Sequence, residues 1–200
     1  MSLTTTQALF IEEAKQAVRA YIHQPYHLYS EENQEAWRQL FARQRRQWDR
    51  YANQFFQEGL ARLWLTPDRI PALEEVSHYL DPLTGFNAQA VSGYVPTDLF
   101  MAGIARREFP TTITIRGLDR LDYLPEPDIF HDLAGHVPMH TSTVFAEALV
   151  AYGRLATVAA DYVQTLPLER QQDVAQALLT ALSRVFWFTV EFGLVMSRKD

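Results

Sequence analysis

Cysteine is absent from all 200 residues. That excludes a disulfide framework, a thiolate metal site and a cysteine nucleophile, so any metal held here must use imidazole and carboxylate. Positive charge is also scarce. The 18 Lys and Arg face 24 Asp and Glu, a net charge of −6, and they form no stripe of the kind phosphate backbones require, which argues against nucleic acid as a partner. The start, MSLTTTQALFIEEAKQ, has no basic region ahead of an apolar core, and no run of about 18 uncharged apolar residues follows it. The expectation is a soluble, cytoplasmic protein with no membrane partner.

What is present is a chain 48% hydrophobic and 21% charged, enough to bury a core without staples. It reads as one domain over residues 1–200, of which 1–30 form an N-terminal extension. Residues 6–21 are expected to be helical. Ser30 is placed as an N-cap with Glu31 and Glu32 in the first turn. Trp37, Leu40, Phe41, Trp48, Tyr51, Phe55 and Phe56 then recur at helical spacing, predicting one long amphipathic helix with that stripe in the core. A short helix should run to Leu80 and break around Pro82 and Gly85. Another helix should start at Pro96 and stop before Pro110. TTITIRG, residues 111–117, alternates β-branched residues and is the best strand candidate. Helices over about 144–164 and 168–197 complete a mostly α fold with a small β component.

The stretch PDIFHDLAGHVPMH, residues 127–140, holds three of the six histidines. Two imidazoles four apart on a helix stand about 40° apart around its axis and can share a metal, whereas five apart is about 140°. His131 and His136 are five apart, so they can converge only where the helix breaks, as Gly135 and Pro138 suggest. A third ligand must be acidic, and Glu191 in VFWFTVEFGL is an acid where a helix would otherwise be apolar. Two imidazoles and one carboxylate on one face of an octahedral ion leave the opposite positions open, as in non-haem Fe(II) oxygenases. Glu191 paired with Arg116 or Arg184, and the histidines as ordinary surface or core residues, are the competing readings.

EPDIFHDLAGHVP and WFTVEFGL, with DPLTGF and TITIRGLDRLDYLPEPD in the same order, make the chain similar to the pterin-dependent aromatic amino acid hydroxylases over about residues 35–195. The HD of FHD is most like the bacterial phenylalanine 4-hydroxylases. This resemblance implies the catalytic-domain architecture of that family, with His131, His136 and Glu191 holding Fe(II), and tetrahydropterin as co-substrate. It implies further that Phe86 stacks on the pterin and that Asp132 lies near the pterin and the iron-bound waters. Arg116 would receive the carboxylate of the substrate, while Pro127 and Trp187 would line the pocket for its aromatic ring. Family members continue well past the glutamate, so the domain is expected to be cut short at its C-terminus, and no tetramerisation helix follows, which favours a monomer. The implied reaction inserts one atom of O2 into an aromatic amino acid, L-phenylalanine to L-tyrosine, with tryptophan and other ring positions left open. A metal-dependent hydrolase with Asp132 as general base, and a non-catalytic helical binding protein derived from a hydroxylase, are the alternatives.

Overall fold

The computed structural model describes residues 21–193 other than 94, 123 and 125. The helix expected over 6–21 lies outside the described residues apart from Tyr21. Six α-helices and one two-stranded sheet are found among the described residues: α1 Glu31–Tyr51, α2 Gln54–Arg62, α3 Leu73–Thr84, β1 Asn87–Val91, α4 Thr97–Ala105, β2 Glu108–Thr112, α5 Thr143–Gln164 and α6 Leu168–Phe186. The mostly helical expectation holds.

Ser30 caps α1 as anticipated, its hydroxyl accepting the Asn33 N–H while the Asn33 side chain reaches back to the Ser30 N–H. The long stripe, however, belongs to two helices. Asn53 begins α2 by accepting the Phe56 N–H at 2.9 Å, a cap that competes with continued winding. Trp37, Leu40, Phe41 and Phe56 are buried, but Tyr51 and Phe55 at the junction are 68% and 60% exposed and leave the core. Gly59 of α2 faces the Pro138 carbonyl so closely that a Cβ would collide with it, which seats α2 on the segment following the histidines.

The α3 helix runs through Pro82 and stops instead at Gly85, whose φ of 73° is the left-handed cap that glycine adopts without penalty. A proline this near the helix end forfeits little, and the glycine decides the stop. The β1 strand was not anticipated. It pairs in parallel with β2, from Asn87 opposite Glu108 to Val91 opposite Thr112. The predicted strand 111–117 overlaps β2 only at Thr111 and Thr112, because β1 runs out at Val91. The preceding helix ends at Ala105 rather than at Pro110, which lies inside a strand that is also a sheet edge.

Beyond β2 the chain stays extended and buried through Ile113 and Ile115, and the Thr114 carbonyl accepts the Ile129 N–H at 2.8 Å. This lateral contact draws Arg116 alongside the segment that leads into His131. Phe130, directly before His131, is wedged edge-on to Trp37 (ring centroids 5.2 Å) and stacked on Trp48 (6.2 Å), so α1 fixes where the histidines begin. On the other side α5 packs along α4 and α6. By length and mean hydropathy α5 would be able to cross a membrane, and here it serves as the helix against which α6 lies. Tyr152 of α5 donates its hydroxyl hydrogen to the Leu182 carbonyl of α6.

Candidate metal centre

His131–His136 is a π-helix, and the Val137 N–H donates to the Asp132 carbonyl, a span of five residues. Bonding from i to i+5 brings residues five apart onto one face. The helix therefore does not end between the histidines, as the Gly135 and Pro138 signals suggested; it widens. The two rings lie 4.7 Å apart, centroid to centroid. Trp187–Glu191, which follows α6, is π-helical too, with the Phe192 N–H donating to the Trp187 carbonyl.

The Glu191 carboxylate lies 3.6 Å from His131 Nε2 and 3.3 Å from His136 Nε2. One ligand atom from each residue falls within 4.8 Å of the others, the separation range for a shared metal ion. Metal bonds of about 2.1 Å at right angles place neighbouring donors about 3 Å apart, so this set fits an octahedral ion bound on one face. The alternative pairing of Glu191 with Arg116 or Arg184 is not found; Arg116 is taken by Asp128.

Asp132 stands behind the first histidine. Its Oδ1 lies 3.0 Å from His131 Nδ1, and its Oδ2 accepts the Thr112 N–H at 2.7 Å. With Nδ1 donating to Asp132, the Nε2 lone pair of a neutral His131 points toward Glu191. A buried carboxylate committed in this way cannot act as a general base on the open side, which removes the support for a hydrolase. Burial alone would push the His131 proton off, but the hydrogen bonds the ring donates to Asp132 and Glu191, and their charges, outweigh it and raise its pKa to about 10. Burial likewise favours the neutral acid at Glu191, yet hydrogen bonds from His131 and His136 hold it well below the usual carboxylate range. The same pairing that holds a proton here is what a cation would find, so metal and proton compete for the site.

A cavity of about 530 Å³ is lined by two members of the triad, His131 and Glu191. Gly135 lines it too, with Leu40, Arg43 and Trp48 of α1, the loop residues Leu121, Asp122, Leu124, Glu126 and Pro127, and Trp187 and Phe192. Arg116 lines it as well, its guanidinium gripped by Asp128 through Nε–Oδ2 at 2.7 Å and Nη2–Oδ1 at 2.9 Å. Asp122 offers Arg116 only a backbone carbonyl, 2.7 Å from Nη1, and gives its carboxylate to Arg43.

Asp128 is the functional residue the sequence reading passed over. Fully buried, it accepts from the Arg116 N–H, Nε and Nη2 and from the His131 N–H. A conspicuous acid beside a histidine cluster was the available signal.

Phe86 is a correction. It is 0% exposed and absent from the cavity lining, covered by His140 at 4.8 Å and by Arg107 at 6.0 Å, so it has no face to offer a ligand. Phe100, which sequence reasoning left in the helix, is partly exposed. It sits edge-on to Phe109 and Phe186, and Phe109 in turn is 5.9 Å from the His136 ring.

A family model described as biopterin-dependent aromatic amino acid hydroxylase matches residues 9–200. The phenylalanine-4-hydroxylase of Chromobacterium violaceum is 40% identical over 172 residues, 86% of this chain and 53% of that protein. A crystal structure of that organism's phenylalanine hydroxylase with bound iron(III) and 7,8-dihydrobiopterin superposes with a TM-score of 0.77 at 34% identity, over 92% of this chain and 64% of the other. One with iron and phenylalanine gives 0.75 at 32% identity, over 92% and 63%. The chain spans about half the length of the curated relatives it matches.

Proposed function

The chain belongs to the biopterin-dependent aromatic amino acid hydroxylases, and from that premise we propose that it is a cytoplasmic, monomeric non-haem Fe(II), tetrahydropterin-dependent monooxygenase. Its substrate is an aromatic amino acid, L-phenylalanine converted to L-tyrosine, and residues 1–200 act as a single catalytic domain. The observation that carries this reading is the convergence of His131, His136 and Glu191 beside a cavity that His131 and Glu191 line together with Arg116.

His131, His136 and Glu191 would hold the ferrous ion. Bound there beside a tetrahydropterin, iron supplies the reductive activation of O2 by which one oxygen atom reaches the ring and the other leaves with the pterin. The protein's part is positional. Asp132 fixes the His131 ring through Nδ1. Arg116 has five N–H donors; after the bonds to Asp128 and the Asp122 carbonyl, one N–H remains on each Nη, the pair that meets a carboxylate end-on. Pro127 and Trp187 flank the space above the triad, where a flat apolar ring packs. A pterin needs an aromatic ring that is not closed off, and Phe100 is partly exposed where Phe86 is fully buried.

Aerobic incubation with Fe(II), tetrahydropterin and each aromatic amino acid, followed by mass analysis, should show phenylalanine gaining one oxygen. His136→Ala should lose both iron retention and product. Turnover by that variant at the unsubstituted rate would remove His136 from the ligand set.

A further inference from the structure

The cavity over the triad holds more charge than the metal and a carboxylate require. Three of its nearby acids are already committed. Asp128 receives four N–H donors, Asp122 pairs with Arg43 at 2.8 Å, and Glu191 faces the two imidazoles. Glu126 lines the same cavity, is exposed, and has neither a hydrogen bond nor an ion pair among the described residues.

Residues on either side of Glu126 in sequence are bonded to one arginine. Arg116 bonds to the Asp122 carbonyl and to the Asp128 carboxylate, residues that flank Glu126 in sequence, and Arg116 and Glu126 line the same cavity. Glu126 is two residues from Asp128, a backbone reach of at most about 7 Å. A ligand whose carboxylate sits on Arg116 thus shares its cavity with this carboxylate.

We propose that Glu126 receives the α-ammonium of the substrate, so that the cavity reads both ends of an amino acid zwitterion and rejects aryl acids lacking the amine. The inference rests on the aromatic amino acid reading of the site and adds the group that distinguishes an amino acid from its deaminated analogue. A carboxylate placed opposite an ammonium forms a charge-assisted hydrogen bond, stronger than a neutral one. Without the ammonium, the same carboxylate is left beside an apolar ligand and adds nothing.

The test is equilibrium binding to the Fe(II)-loaded chain, measured by calorimetry with L-phenylalanine and with 3-phenylpropionate, which keeps the ring and the carboxylate but has no amine. The unsubstituted chain should prefer phenylalanine. Glu126→Gln should weaken phenylalanine binding by about tenfold or more and leave 3-phenylpropionate within about twofold, with Glu126→Asp intermediate. A merely structural role would weaken both ligands together, and that result overturns the proposal. So does a selective loss produced by Asp122→Asn and not by Glu126→Gln, which would assign the ammonium to the other acid. If the unsubstituted chain binds neither ligand, the reading of the cavity itself fails and this inference falls with it; if it binds both equally, only the role of Glu126 falls.

Discussion

The segments His131–His136 and Trp187–Glu191 are both π-helical, yet they are held in different ways. The first follows Phe130, which is buried between Trp37 and Trp48. It is tied to β2 through Asp132 and Thr112 and to Arg116 through Asp128, and the segment that follows it, Val137–Thr141, packs on α2. The second extends from a helix in which Leu182 alone is buried among the described residues. Its Trp187, Phe188 and Phe192 are 50%, 71% and 53% exposed. Its described anchors are the Tyr152 hydroxyl on Leu182 and the contacts of Phe186 with Phe100 and Tyr152. The imidazole half of the site is thus pre-built by the core, while the carboxylate half is delivered by the packing of one helix end. A wide turn costs backbone regularity, and the core repays that cost on one side far more than on the other.

The comparison can be broken most directly at its anchors. Phe130→Ala should lower stability by about 3–5 kcal/mol, the cost of removing a buried ring that leaves a cavity, read as a lower midpoint in denaturant melts. Little change would mean that α1 does not hold the histidines.

Glu191→Gln should weaken Fe(II) binding by more than about a hundredfold, beyond the loss typical of an outer partner, with the fold intact by circular dichroism. Asp132→Asn acts through His131 and should cost about 10–100-fold in metal affinity. Equal losses from the two would erase the distinction between a ligand and its support.

Acid should loosen the imidazole side by a separate route. His140 is buried against Phe86, Phe109 and Phe145, and its Nδ1 has no hydrogen-bond partner among the described residues. Burial, helped by the charge of His136, pushes its pKa down to about 3. Unfolded chains take up that proton below about 6.5, whereas the folded protein refuses it until about 3. Stability from this group is therefore complete above about 6.5 and drains as pH falls toward 3, by at most about 1.4 kcal/mol per pH unit. His140→Leu should flatten that part of a stability–pH curve. At the small end, Phe188→Ala on the exposed side should move stability by no more than about 0.5 kcal/mol.

Much of the helical framework was legible because burial leaves a period of three and four, as with Trp37, Leu40 and Phe41. The boundary at Asn53 was not, since a stripe that skips a capping residue looks continuous. β1 went unseen because NAQAV carries little β-branched signal, its strand character arising from pairing with β2. Phe86 was misplaced for a related reason: an aromatic next to a glycine turn carries no mark of which way it faces, and only the neighbours His140 and Arg107 close it off.

From the chain alone came the chemistry available to it: without cysteine, any metal must meet nitrogen and oxygen, and an acid amid apolar residues near the end of a helical stretch called for a partner. Composition and local period are enough for that, because they are properties of neighbours along the backbone. Only the folded structure decided that the turn holding His131 and His136 widens rather than breaks, that Asp128 claims Arg116, and that Glu191 reaches both rings. Those outcomes depend on how distant helices pack, and packing energy is summed over contacts that no single stretch of sequence contains.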